Sequence, residues 1–162
     1  GPSSITAALS ISGLPTDRFT FEGFLPSRHS ARLKSLERLR DEPRTLVFFE
    51  SSHRIRDSLA DLADVFGARR PVAVCREMTK QFETVLRGSL EEVADRVDSD
   101  PDQGKGEFVV VVGGNAEPPE DRMADAMVLA KALLEFLPAS QAARVAARLH
   151  GVSRRELYSA LG

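Results

Sequence analysis

The sequence predicts a mixed α/β sheet domain over residues 1–114, a linker at 115–121 and a small helical tail at 122–162. Three observations carry this expectation. Apolar runs of strand length alternate with segments of helical period up to Val112, the pattern of a sheet layered with helices. The run Asn115-Ala116-Glu117-Pro118-Pro119-Glu120-Asp121 then shifts abruptly to linker composition. Everything beyond it repeats apolar residues at helical spacing. With 162 residues and 42% hydrophobic content, the chain is long enough to build a real core.

The chain opens on a helix. Ser3 and Ser4 stand where an N-cap belongs, Ile5, Ala8 and Leu9 share a helical face, and Gly13 followed by Pro15 ends the segment. Residues 19–25 are rich in aromatics and read as a strand closed by Pro26. In the basic helix 28–41, Leu33, Leu36 and Leu39 are too sparse for deep burial, so this helix is expected to lie across a surface. Residues 44–50 form an apolar run ending in Glu50, as in a central strand buried on both faces. Ile55, Leu59, Leu62, Ala63 and Phe66 mark the strongest helix, stopped by Gly67. Residues 71–77 and 83–88 read as a hairpin around 78–82, and Ser89 with Glu92 forms a capping box for the next helix. Residues 107–112 are a last buried strand, ended by Gly113 and Gly114. In the tail, Ser140 and Ser153 are expected to cap two helices, with Ala147, Gly151 and Leu157 spaced like a helix-turn-helix core.

Several function classes lose support at this level. The 22 Lys and Arg nearly balance 24 Asp and Glu, so any nucleic-acid surface must be local. The lone Cys75 lies in an apolar run, reads as a core residue, and suits a reducing cytoplasm. No signal-peptide pattern occurs and the longest apolar run, residues 108–112, is far too short to span a bilayer, so a soluble, cytoplasmic protein without a membrane partner is expected. His29, His53 and His150 are scattered without metal-ligand spacing, and no metal is expected. Neither a Gly-x-Ser-x-Gly elbow nor a Walker loop is present.

Polar residues concentrate instead at strand ends, where open α/β sheets present ligands. Glu50-Ser51-Ser52-His53-Arg54 follows the central strand; either Ser51 or Ser52 caps the next helix, or the segment faces a ligand. Glu50 itself needs a partner, because an unpaired buried charge costs several kcal/mol, on the order of that found for broken buried pairs. Arg76, Glu77, Met78, Thr79, Lys80 and Glu83 form either a salt-bridged hairpin or a second ligand-facing edge, and Gly106 either makes a turn or lets a ligand approach the backbone. Two basic patches remain: Arg28, Arg32, Lys34, Arg38 and Arg40 on the second helix, and Arg144, Arg148, Arg154 and Arg155 in the tail. Each is either a solvated face or a set of phosphate contacts.

The motifs Gly13-Leu14-Pro15-Thr16-Asp17-Arg18-Phe19, Phe21-Glu22-Gly23-Phe24-Leu25-Pro26, Phe49-Glu50-Ser51, His53-Arg54, Arg76-Glu77, Thr79-Lys80 and Arg87-Gly88 recur in one order over nearly the whole chain. Together they resemble the small-subunit ribosomal RNA methyltransferases of the tetrapyrrole methylase superfamily. The resemblance implies the C-terminal α/β domain of that fold with a helical tail, and a cofactor, S-adenosylmethionine, held in a cleft between this domain and a glycine-rich N-terminal one. It further implies methyl transfer to the 2′-hydroxyl of a cytidine in 16S ribosomal RNA of the small ribosomal subunit, by a homodimer. Carried over by position, cofactor contacts fall on Ser3, Ser4, Glu50, Met78, Gly106, Glu107 and Phe108. The family commonly has proline at the position of Ser52 and leucine at that of Met78.

Removal of a hydroxyl proton asks for a base, and Glu50, His53 and Glu77 are the candidates. RNA contacts are expected from Arg28, Arg32, Arg54, Arg76, Lys80, Arg148 and Arg154. With only one wall of the cleft, the chain alone is expected to be inactive. The alternative is a non-catalytic RNA-binding or dimerisation module.

Overall fold

The computed structural model describes residues 1–116 and 119–162. Among them, helix α1 (Ser4–Ser12) leads into β1 (Phe19–Phe24), α2 (His29–Leu39), β2 (Thr45–Ser51), α3 (Ile55–Phe66), β3 (Pro71–Arg76), β4 (Thr84–Ser89), α4 (Leu90–Ser99) and β5 (Glu107–Val112). The tail is α5 (Pro119–Leu133), α6 (Ala139–His150) and α7 (Arg154–Leu161). The strands form one sheet in the order β1-β2-β5-β3-β4. Only β1 and β2 run parallel; β2 with β5, β5 with β3, and β3 with β4 are antiparallel. The expected mixed α/β domain and helical tail are therefore present, and β5, last in the chain, lies between β2 and β3.

The period of two along each strand divides the core. Leu46 and Phe48 of β2, Val72 and Val74 of β3, and Phe108, Val110 and Val112 of β5 face one side, under Leu36 of α2, Ile55, Leu59, Leu62 and Phe66 of α3, and Leu90, Val93 and Val97 of α4. Val47, Ala73, Cys75, Val109 and Val111 face the other side, where Ala8 and Leu9 of α1 cover them. Three helices thus shield one face and a single nine-residue helix shields the other. Arg87 of β4 fastens that helix by donating to the Ile11 carbonyl at its last turn, from Nε at 3.1 Å and also from Nη2.

Helix α2 is less superficial than its leucine spacing suggests. Leu36 is fully buried and Arg32, one turn earlier on the same face, is 3% exposed. The Arg32 Nε donates to Asp61 Oδ2 of α3 at 2.6 Å and its Nη1 reaches the Ser27 carbonyl at 3.2 Å. Arg32, expected to contact RNA, is instead a buried structural cation. The sequence reading missed this because the partner carboxylate lies on another helix.

The caps are also partly redistributed. Ser3 caps α1 through the Ile5 amide, and Ser89 and Glu92 make the expected capping box. Arg54 and Pro138, neither with a side-chain cap, precede α3 and α6, so Ser51, Ser52 and Ser140 do not serve as N-caps. Ser153 does cap α7, accepting from the Glu156 amide. Of the expected linker 115–121, residues 117–118 lie outside the described residues, and α5 already begins at Pro119. No helix among the described residues is long and apolar enough to cross a membrane.

The tail buries Ala126, Ala130, Ala146, Ala147, Val152 and Leu157 among its own helices and docks on the sheet domain through Gly151. That glycine has φ +63°, and a Cβ there would lie 2.4 Å from the Phe66 carbonyl oxygen. Nearby, the Ala68 amide donates to the Arg148 carbonyl at 3.2 Å, and the Arg122 guanidinium binds both the Gly151 carbonyl and Asp41. Gly151→Ala is expected to cost about 1–3 kcal/mol through left-handed strain and backbone overlap. A denaturant melt with an unchanged midpoint would count against so close a docking.

Candidate functional site

The ends of β2 and β3 and the start of β5 meet beside the first turn of α1 and enclose a cleft of about 540 Å³. Ser4, Phe24, Phe49, Glu50, Ser51, Ser52, Cys75, Met78 and residues 106–109 line it. A neighbouring hollow of about 500 Å³ shares Ser4 and Met78 and adds Ser3 and Thr79. Ser3, Ser4, Glu50, Met78, Gly106, Glu107 and Phe108, widely separated in sequence, are thus brought to one place. The floor is apolar, made by Phe49, Cys75, Met78 and Val109, and hydroxyls and carboxylates stand at its rim. Burial pushes the Cys75 thiol up to about 11, so it stays protonated and serves as apolar wall.

Glu50 has the partners its position demands. Its carboxylate is 2% exposed; Oε1 accepts from the Ser51 amide at 2.8 Å and pairs with Arg54 Nε at 3.1 Å, while Oε2 accepts from Ser58 Oγ at 2.7 Å. Arg54 in turn donates to the Leu25 carbonyl at 3.2 Å. Both carboxylate oxygens are hydrogen-bonded, so Glu50 holds the cleft wall. Removing one partner of such a buried pair typically costs about 3–5 kcal/mol.

Glu77 is bound differently. It and Thr79 adopt left-handed backbone, φ +50° and +64°, in a tight turn beyond β3. Glu77 Oε1 accepts from the Glu107 amide at 2.8 Å and from Lys80 Nζ at 3.2 Å, and Lys80 also pairs with Glu107 at 2.9 Å. A Cβ at residue 106 would lie 2.5 Å from Glu77 Cγ, so the glycine makes room for this carboxylate. The segment is a salt-bridged turn, and it forms the lip of the cleft. His53 is exposed, stands beside the cleft-lining Ser52, and makes no hydrogen bond among the described residues.

The remaining cations divide by location. Arg54 and Lys80 pair with the cleft-lining Glu50 and Glu107, and Arg76 Nε donates at 2.6 Å to the carbonyl of Lys105, the residue before the cleft-lining Gly106. Arg28 is exposed at the start of α2. Arg148 pairs with Asp64 at 3.3 Å. Arg154 lines a separate groove of about 420 Å³ with Arg40, Arg155 and Tyr158, where α2 and α7 meet. Two basic segments distant in sequence thus share one groove, but not all the candidate RNA contacts do.

Comparisons with known proteins give the family and the fold. A family model described as tetrapyrrole (corrin/porphyrin) methylases matches residues 1–94. The chain belongs to this family. A second model, the RsmI C-terminal HTH domain, matches residues 120–161. Proteins named ribosomal RNA small subunit methyltransferase I are similar: one from Xylella fastidiosa (strain 9a5c) is 49% identical over 98% of this chain and 58% of its own length. That from Pseudomonas aeruginosa PAO1 is 44% identical over 98% of this chain and 57% of its own. The chain therefore spans somewhat more than half the length of these relatives. Among solved structures, the cobalamin biosynthetic enzyme cobalt precorrin-4 methyltransferase CbiF superposes with a TM-score of 0.53 at 17% identity, over 70% of this chain and 49% of that one. The methyltransferase CobJ gives 0.52 at 19%, over 72% and 49%. These two show the shared fold.

Sequence reasoning did not single out Ser58, whose hydroxyl holds Glu50 from eight residues away, nor the cleft-facing rings of Phe24 and Phe49. A polar residue on the buried stripe of α3 was the available signal for Ser58.

The Glu107 amide, followed by the Lys80 ammonium, holds the Glu77 carboxyl below the ordinary carboxylate value of 4.5. A depressed folded value means the turn is fully stabilised above about 4.5 and loses that contribution as pH falls through the lower one. Protection of the Glu107 amide from hydrogen exchange is expected to persist at pH 4.5 and to be lost in Glu77→Leu or at lower pH. Equal exchange in the variant and the parent at neutral pH would refute this.

Proposed function

We propose that this chain forms one wall of the active cleft of an S-adenosylmethionine-dependent ribosomal RNA methyltransferase, acting in the cytoplasm as a homodimer on the 2′-hydroxyl of a cytidine in 16S RNA. The observation that carries the reading is the convergence of Ser4, Glu50, Met78 and residues 106–108 on a single strand-end cleft. The names of the relatives, ribosomal RNA small subunit methyltransferases, support the RNA substrate.

The lining suits the cofactor. At about 540 Å³ the cleft falls within the range, roughly 300–1,000 Å³, of small-molecule sites. Its apolar floor fits a flat heterocycle, and Ser4, Ser51, Ser52 and Glu107 offer groups for ribose and amino-acid polar atoms. When bound, the cofactor would supply an electrophilic methyl group. The chain's own residues then have two tasks: to hold the acceptor hydroxyl in line, and to take its proton. Glu50 keeps the wall in place with both oxygens hydrogen-bonded, and Glu77 keeps the lip in place through Oε1. His53, with both ring nitrogens unengaged among the described residues, is the base this reading favours. Arg54, Arg76 and Lys80 around the mouth, with Arg28 and Arg154 farther out, would bind the RNA backbone.

Two measurements test the reading. Calorimetry on the full-length protein is expected to show cofactor binding, and a methylation assay to mark a small-subunit cytidine at its 2′ position; absence of either sinks the proposal. The 162-residue chain alone is expected to transfer no methyl group, and any turnover by it would refute the one-wall reading. His53→Asn is expected to lower kcat about 100-fold or more, in line with general-base losses of roughly 10²–10⁴, with cofactor affinity unchanged. An unaltered kcat would exclude His53 as the base.

A further inference from the structure

The exposed phenylalanines of β1 have no role in the reading above. Phe19, Phe21 and Phe24 are 41%, 44% and 58% exposed on the edge strand of the sheet. Residues 21 and 24, three apart, would face opposite sides of a regular strand. The register between β1 and β2 shifts between Phe21 and Gly23, however, so that Phe21 pairs with Val47 and Phe24 with Phe49. Both rings therefore come to the α1 side and meet Phe49 edge-on, with centroids at 4.8 and 5.7 Å. Bulges beside functional sites commonly re-aim a side chain in this way.

The result is an aromatic shelf continuous with the cleft, because Phe24 and Phe49 also line it. It carries a fixed cation: the Arg54 guanidinium lies 5.9 Å from the Phe24 centroid and is held by Glu50 and the Leu25 carbonyl. Exposed Arg28 lies four residues beyond Phe24. Open ring surface bordered by guanidinium groups is the combination that binds single-stranded nucleic acid, the rings taking base faces and the cations the backbone. A nucleotide whose ribose enters a cleft brings its base to the mouth, where an aromatic face gives an unpaired base a stacking partner.

We infer that Phe24, backed by Phe49 and flanked by Arg54, is the stacking platform for an unpaired base of the RNA substrate at the mouth of the cleft. The inference rests on the proposed RNA methyltransferase reading and adds a substrate-positioning residue to it.

The test uses the full-length protein and a short single-stranded oligoribonucleotide carrying 2-aminopurine, whose fluorescence falls when the base stacks. The unsubstituted protein is expected to quench the probe. Phe24→Leu keeps an apolar side chain without a ring face; it is expected to weaken binding roughly 5- to 150-fold, the range of single base–aromatic stacks, and to abolish quenching. Phe24→Tyr is expected to restore both. Leucine binding and quenching like the parent overturns the inference, as does a tyrosine variant no better than leucine. Loss of the dimer in Phe24→Leu with RNA binding intact would identify the shelf as a protein interface instead. A fall in cofactor affinity alone would give the ring to the cofactor. Cofactor binding and methylation by the unsubstituted protein test the underlying reading separately, so the two can fail independently.

Discussion

A carboxylate buried at the end of a central strand must be satisfied from every side, and the way Glu50 is satisfied organises the region around the cleft. Its oxygens accept from the following amide and from Ser58 on α3, and its charge is met by Arg54. Arg54 extends the chain of contacts to the Leu25 carbonyl, where β1 leaves the sheet. One residue therefore ties β2, α3 and the exit of β1 together at the rim of the cleft. In a low-dielectric setting such a network is worth far more intact than broken, which makes the position of the wall definite.

The opposite rim uses the same kind of chemistry in a looser form. Glu77 closes a turn whose backbone is left-handed at two non-glycine residues, and the bonds to the Glu107 amide and Lys80 compensate that strain. Gly106 contributes by lacking a side chain where the Glu77 carboxylate lies. The cleft thus has one deeply buried ionic edge and one exposed ionic lip. Between them the floor is apolar, since Phe49, Cys75 and Val109 alternate onto the thinly covered face of the sheet.

The asymmetry of the two sheet faces has a further consequence. Helices α2, α3 and α4 bury one face fully, and the tail packs onto this same layer through Gly151 and the end of α3. The other face has only α1, and the β1 phenylalanines beyond it stay open. Large apolar groups left in water next to a cleft mark a surface that meets something.

Much of this was legible in the sequence. Apolar runs and helical periods located the five strands and the main helices among the described residues, because burial on one or two faces imposes a period that local reading detects. Strand-end polar residues pointed to the cleft for the same reason, and the need of Glu50 for a partner followed from electrostatics alone. What the sequence could not contain was anything decided between elements. Placement of β5 between β2 and β3, the capture of Arg32 by Asp61, the hydroxyl of Ser58 on Glu50 and the convergence of Arg40 with Arg154 all depend on residues far apart in the chain. Local pattern determined which residues are apolar, capped or charged. Only the packed structure decided which charges are enclosed, because a partner's distance in space is not encoded in its spacing along the chain.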